Sequence, residues 1–217
     1  MLLPPPPWYA RPEGSTTLAS YEWVKRGTDI VLCLIALPAA FVLLILCAIA
    51  VRLDSPGPVI FRQNRTGQGG RRFRMYKFRT MVENAEELKQ EYLHLNELTG
   101  PDFKITDDPR VTKVGRFLRK TSLDELPQIL NVLRGEMSLV GPRPTSFSAN
   151  TYDLWHTERL EVKPGVTGLW QISGRSDVDF DERLRLDIAY IRNRSHRLDL
   201  AILVRTFGAV VSRRGAA

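Results

Sequence analysis

The run Thr121-Ser122-Leu123-Asp124-Glu125-Leu126-Pro127-Gln128 sets two adjacent carboxylates directly behind a basic block. That block, residues 110–120, carries Arg110, Lys113, Arg116, Arg119 and Lys120 and no acid. A second acid-free block, residues 62–79, holds Arg62, Arg65, Arg71, Arg72, Arg74, Lys77 and Arg79. Cations at this density suit phosphate, because the arginine fork matches phosphate oxygens two at a time. They also suit a plain cationic face resting on anionic headgroups. The Ser122 to Glu125 spacing is that of a capping box, which by itself would only start a helix over residues 124–133. Either way Asp124 falls in a helical first turn, where free N–H groups keep a carboxylate ionised and attract phosphate. A carboxylate pair beside a phosphate calls for a counter-ion such as Mg²⁺, which takes oxygen ligands. An ionised Asp124 next to a neutralised phosphate is set for attack on phosphorus.

The elements that must hold these groups follow from the charge map. The 217 residues carry 31 Lys+Arg against 24 Asp+Glu, a net charge of +7. Residues 1–55 are balanced, with Arg11, Lys25, Arg26 and Arg52 against Glu13, Glu22, Asp29 and Asp54, so the whole excess lies in residues 56–217. Apolar residues make up 43% of the chain, enough to bury a core, and two cysteines cannot staple a fold of this size. Residues 30–51 form an unbroken run of 22 without charge, amide or hydroxyl, long enough for a helix to cross a bilayer at 1.5 Å per residue. The run is too long for a secretory signal and lacks a cleavage site. Basic residues flank it on both sides, so the positive-inside rule scores little difference between its ends. Pro38 in its middle deletes a helical hydrogen bond and bends the axis. A kinked re-entrant hairpin and a tilted single-pass anchor both fit. Cys33 and Cys47, inside the run, read as small buried hydrophobes.

The expected fold class is α+β, mostly helical with a small β-hairpin, with an N-terminal membrane helix, re-entrant or single-pass, joined to a polar, basic domain. Three parts are expected: a Pro-rich arm over residues 1–20, the membrane helix over 21–54, and a catalytic domain over 55–217 packed on the membrane surface. Residues 55–61 read as a turn feeding a short strand and 71–78 as a second strand, joined by the glycine-rich stretch 64–70. Met81, Ala85, Leu88, Tyr92 and Leu95 mark an amphipathic helix over residues 81–98. Phe180, Leu184, Ile188 and Ile191 mark another, and the more apolar residues 198–211 a third, packed in the core or lying against lipid. Nucleic acid, the other common partner of basic patches, is set aside because a membrane-type segment adjoins them. His94, His156 and His196 have no ligand spacing. Trp23 reads as an interface anchor, and Trp155 and Trp170 as core or nucleotide-site residues.

A set of motifs in order carries a resemblance. These are Lys25-Arg26-x-x-Asp29, Ser55-Pro56-Gly57-Pro58-Val59, Tyr76-Lys77-Phe78-Arg79-Thr80-Met81, Asp108-Pro109-Arg110-Val111-Thr112, the stretch from Leu118 to Gln128, Val140-Gly141-Pro142-Arg143-Pro144, Lys163-Pro164-Gly165-Val166-Thr167-Gly168 and Ser173-Gly174-Arg175. Over residues 25–215 the chain resembles the bacterial sugar transferase family, the small monotopic phosphoglycosyl transferases that load polyprenyl phosphate. The resemblance implies a UDP-sugar donor, attack by Asp124 on its β-phosphate, release of UMP, and transfer of the phosphosugar from the aspartyl intermediate to polyprenyl (undecaprenyl) phosphate. It implies Glu125 as the residue that binds Mg²⁺ with Asp124 or orients the pair. It implies Lys77, Arg79, Arg119, Arg143 and Arg175 as substrate-binding groups. The sugar is expected to be glucose or galactose, for exopolysaccharide, capsule or O-antigen-type glycans, with an N-acetylhexosamine as the alternative. Anionic membrane lipids are expected partners at the cytosolic face of the bacterial inner membrane, and a homodimer is an open possibility. The competing class is a non-catalytic membrane scaffold for glycosyltransferases. The resemblance implies that the N-terminal membrane helix is re-entrant and joined to a cytosolic catalytic domain; the family breaks that helix at a Ser-Pro, and here Pro38 comes a helical turn earlier, after Leu37.

Overall fold

A computed structural model describes residues 18–97, 105–146, 154–173 and 180–211. Helix α1 (Leu18–Asp54) is helical throughout, including Pro38. Besides Tyr21 near its start, its buried positions, Asp29, Cys33, Ala40, Cys47 and Val51, step by four and seven residues along one face, the repeat of a packed stripe. Around them Val31, Leu34, Ile35, Phe41, Val42, Leu46 and Ile49 stand exposed. Trp23 is 80% exposed just ahead of this apolar sector.

Both ends of α1 are fastened to the same body. At its start, Arg26 donates through Nη1 and Nη2 to the carbonyls of Val132 (2.6 Å) and Leu133 (2.8 Å). These lie in the last turn of α4 (Ile129–Arg134), where a helix dipole favours a cation. Three residues on, Asp29 Oδ1 accepts the Leu139 N–H at 3.1 Å. At the far end, Asp54 Oδ2 accepts the Val114 N–H at 3.0 Å. Val114 is in the first turn of α3 (Lys113–Thr121), whose N-cap Thr112 accepts from Gly115 N.

Strands β1 (Ile60–Thr66) and β2 (Arg72–Phe78) pair antiparallel, with Arg62 opposite Tyr76 and Thr66 opposite Arg72. The hairpin is the expected one, fed by a turn, but β1 runs on past residue 61 to Thr66 and the connection shrinks to residues 67–71. A second, parallel pair not expected from the pattern joins β3 (Ser138–Val140) to β4 (Gly165–Thr167). Helices α5 (Leu169–Ser173), α6 (Phe180–Asn193) and α7 (His196–Val211) complete the body. The last two match the expected helices.

Two helix expectations are corrected. No helix runs over residues 81–98. Met81 is extended and bridged to Val111, and Val82 N bonds Arg110 O, so tertiary pairing overrides the apolar period. Only α2 (Ala85–Leu88) and a 3₁₀ turn, Leu93–Leu95, remain. The Ser122 capping box does not form either. Ser122 closes α3 in the left-handed region, φ 57°, with no side-chain cap, and the chain continues as a 3₁₀ turn, Leu123–Gln128, into α4.

Three apolar clusters make the core. Cys33 packs with Met75, Val132 and Met137; Cys47 and Val51 pack with Phe78 and Leu118. The third joins Val140, Leu169, Tyr190, Ile191 and Ile202. Both cysteines are free and buried. In two of the clusters α1 supplies part of the core of the basic body. The α3 helix comes so close to the segment just after β2 that a Cβ on Gly115 would lie 2.1 Å from the Thr80 carbonyl oxygen. Gly115→Ala is therefore expected to cost about 2 kcal/mol or more. That lowers the melting midpoint of detergent-solubilised protein by roughly 4 °C or more.

Candidate active site

Four elements converge on the carboxylate pair. The end of β2 brings Lys77. The positive φ of Ser122 turns the chain sharply after α3, so that the 3₁₀ turn carries Asp124 and Glu125 back past Arg119. Asn131, fully buried in α4, accepts the Tyr76 N–H (3.1 Å) and donates to Arg74 O (2.8 Å), which fixes the turn to the β2 edge. The loop after β3 brings Arg143. Its path depends on Gly165, where a Cβ would lie 2.1 Å from Gly141 N.

Glu125 Oε1 accepts from both Lys77 Nζ (2.7 Å) and Arg143 Nη2 (2.8 Å). Asp124 is only 8% exposed, yet it accepts no hydrogen bond from the described residues; its nearest cation is Lys77 Nζ, 4.0 Å from Oδ2. The two carboxylates therefore behave differently. Burial opposes ionisation of Glu125, but Arg143 and Lys77 outweigh it and hold the carboxyl well below the usual range. Burial pushes Asp124 up, against the pull of Lys77 and with the Glu125 charge adding to the rise. One carboxylate is a fixed counter-ion, and the other is more basic and accepts no hydrogen bond from the described residues.

The cations differ as well. Arg119 Nε donates to Thr80 Oγ1 at 2.9 Å, and its own burial pushes it down from the ordinary value while the charge of Asp124 opposes that. Arg143 is raised, first by Glu125. Its backbone is held in turn: Arg159 Nη2 donates to Arg143 O (2.7 Å) and pairs with Asp187 Oδ2 (2.5 Å). Arg159 and Asp187 are both buried, and burial pushes Asp187 up to about 7 despite Arg159.

Of the residues expected at the site, Lys77, Arg119, Asp124, Glu125 and Arg143 line one cavity of about 1320 Å³. Arg79 lines it too, but its Nη2 is turned to the end of α1, donating to Ser55 O (2.7 Å) and Ser55 Oγ (2.9 Å). Arg175 lies outside the described residues. Thr80, Asn131, Arg159 and Asp187 were not among the expected site residues; each acts through a partner far away in sequence, and no local spacing marks them.

A resident metal cage is not formed: no group of three or more ligating side chains occurs among the described residues. The pair still fits Mg²⁺ of the kind bound by one or two carboxylates together with substrate phosphates and water. The oxygens available are those of Asp124 and the Glu125 oxygen not held by Lys77 and Arg143.

Comparison with known proteins gives this arrangement relatives. Over 199 residues the chain is 48% identical to the galactosyl transferase CpsE of Streptococcus agalactiae, covering 91% of this chain and 44% of that protein. It is 46% identical to the undecaprenyl-phosphate galactose phosphotransferase of Salmonella typhimurium, covering 91% and 42%. It is 43% identical to the exopolysaccharide production protein ExoY of Sinorhizobium fredii, covering 88% of this chain and 87% of ExoY. The chain thus spans less than half the length of the first two relatives and nearly all of the third. The sequence profile of the bacterial sugar transferases matches residues 20–213, the apolar helix and the carboxylate site together, and the chain belongs to that family.

Proposed function

We propose that the protein transfers a sugar 1-phosphate, hexose 1-phosphate first of all, from a UDP-sugar to polyprenyl (undecaprenyl) phosphate through an aspartyl intermediate. The observation that carries this reading is the asymmetry of the pair: Asp124 is buried and uncommitted beside a Glu125 neutralised by Lys77 and Arg143. In the first step an Asp124 oxygen bonds to the sugar-bearing phosphorus. The bond from that phosphorus to the bridging oxygen breaks, and UMP leaves with the electron pair. In the second step a phosphate oxygen of the polyprenyl acceptor attacks the same phosphorus and the Asp124 carboxylate is released. Lys77, Arg119 and Arg143 balance phosphate charge at a partly buried site, where such interactions are stronger than in water. Mg²⁺ held by Asp124 and Glu125 would neutralise the diphosphate. The relatives named for galactose support a UDP-hexose, and a scaffold would have no use for a buried, unpaired Asp124.

The same proposal puts α1 in the cytoplasmic membrane as a re-entrant element. Its exposed apolar sector faces lipid, while Arg26, Asp29 and Asp54 attach both of its ends to one domain on the cytosolic side. A straight crossing would carry the two polar ends of the apolar run roughly 30 Å apart onto opposite faces.

Three outcomes test this. Mixed with UDP-galactose and UDP-glucose, the wild type releases UMP and becomes labelled by donor radioactive in its sugar. Asp124→Asn abolishes both, and Arg119→Ala slows release by roughly a hundredfold; unchanged turnover in Asp124→Asn removes Asp124 as the nucleophile. Asp124 must be ionised to attack, and its pKa is raised. The acid limb of kcat/KM therefore lies above the ordinary aspartate value of about 3.9, and activity is lost as pH falls through it. Lys77→Met, which deletes the cation nearest Asp124, moves that limb to higher pH in a UMP-release assay. Finally, Ser20→Cys and Gln68→Cys both react with an impermeant maleimide only from the cytosolic side; labelling of Ser20→Cys from outside overturns the re-entrant topology.

A further inference from the structure

Helices α3 and α4 stop in the same way, on a residue in the left-handed region. Gly135 closes α4 at φ 79°, ψ 11°, with its N–H bonded back to the Asn131 and Val132 carbonyls. Ser122 closes α3 at φ 57°, ψ 16°, with its N–H bonded back to the Arg119 and Leu118 carbonyls. Glycine is the ordinary residue for this position, because a Cβ there crowds the backbone. Packing does not demand glycine at residue 135: a Cβ would meet nothing closer than the Arg26 and Lys163 side-chain tips, at 3.6 Å. Where only the backbone matters, the chain uses glycine. Ser122 is the one non-glycine residue with positive φ among the described residues. Its side chain does nothing for the fold that offsets the crowding: it caps no helix and makes no hydrogen bond to a described residue. What separates Ser122 from Gly135 is its place. Ser122 lines the cavity with Arg119, Asp124 and Glu125, and Gly135 does not. Arg119, three residues earlier at the same helix end, uses Nε on Thr80 Oγ1, and its two terminal nitrogens make no hydrogen bond to the described residues.

We propose that Ser122 is a catalytic residue of the transfer: its hydroxyl donates a hydrogen bond to a non-bridging oxygen of the phosphoryl group that passes through Asp124. Arg119 serves a neighbouring oxygen of the same group. The inference rests on the transferase reading above and deepens it. In the first step the bond from Asp124 to phosphorus forms while the bond from phosphorus to the bridging oxygen breaks, and UMP takes the electron pair. In the second the acceptor's phosphate oxygen bonds to that phosphorus and Asp124 regains its pair. The Ser122 proton stays on Ser122 in both. Charge is spread over the equatorial oxygens of the phosphoryl group in such displacements, and a donor fixed before the reaction stabilises it without rearranging. The backbone does the fixing. Stopping α3 in the left-handed region, two residues before Asp124, holds the Ser122 Cβ at the cavity wall, where glycine would offer no group to hold.

The test pairs activity with stability, in full-length protein in detergent micelles or nanodiscs. Ser122→Gly relieves the crowding, which outweighs the freedom a glycine adds to the unfolded chain. Its melting midpoint holds or rises, by up to roughly 3 °C. UMP release nonetheless slows roughly ten- to a hundredfold in kcat, with the KM for the UDP-sugar little changed. Ser122→Ala keeps the Cβ, removes only the hydroxyl, and loses as much activity as Ser122→Gly. Labelling of the protein by the donor and discharge of that label onto polyprenyl phosphate slow together, since both pass through one phosphorus. A loss confined to the KM for polyprenyl phosphate overturns the proposal, because the hydroxyl then belongs to the acceptor. A melting midpoint of Ser122→Gly that falls along with its activity also overturns it, because the residue then serves the fold. If the wild type releases no UMP from any UDP-sugar, the transferase reading itself fails. If the wild type turns over and Ser122→Ala keeps pace with it, only the role of Ser122 fails.

Discussion

A single carboxylate oxygen, Glu125 Oε1, accepts from Lys77 and Arg143, and the site depends on it. A buried charge left without its partner costs about 3–5 kcal/mol, so the three groups must come together whenever the protein folds. They come from a strand end, a 3₁₀ turn and the loop after β3. Meeting at one atom, they fix the relative position of the hairpin, the α3–α4 turn and the β3–β4 pair. Asp124 next door inherits a defined environment without being consumed by it. Its neighbour is neutralised, so it feels a weakened like charge and can remain both buried and ionisable.

The supports of this contact are arranged in layers. Asn131 satisfies the β2 edge so that Lys77 has a fixed origin. Thr80 accepts the Thr112 N–H through its carbonyl and the Arg119 Nε through its hydroxyl. One residue therefore sets both the start of α3 and the direction of its most buried arginine. On the other side, Arg159 and Asp187 grip the Arg143 backbone. A buried ion pair contributes little to net stability, and this one is better understood as a device that fixes where a loop runs.

Much of this was legible beforehand. Residues 121–128, Lys77, Arg119 and Arg143 lie in motifs whose order reveals the family, and the structure gathers them around one cavity. The hairpin, α6, α7 and the apolar helix followed from composition and period. Failures came where long-range partners outvote local pattern. Met81 alternates correctly for a helix but is drawn into a bridge with Val111. Ser122 has the spacing of a capping box but serves as the left-handed stop of the preceding helix. Arg159, Asp187 and Asn131 hold the site through groups 16 to 57 residues away, and no short window along the chain contains both halves of those contacts. Arg79, which the resemblance implies as a substrate-binding group, lines the cavity and also ties it to the end of α1 through Ser55.

The fastening of α1 at both ends has a consequence for biosynthesis. Its partners are made after it: Val114 N, the Val132 and Leu133 carbonyls, Leu139 N, and Asp199, which accepts from Tyr21 and Lys25. At about 5–20 residues per second of synthesis, the helix waits on the order of ten seconds before Asp199 leaves the ribosome. Until these groups emerge, the polar ends of α1 lack the partners that fasten them, Asp54 gaining Val114 first and Tyr21 and Lys25 gaining Asp199 last. The later elements therefore assemble onto a helix that is already made.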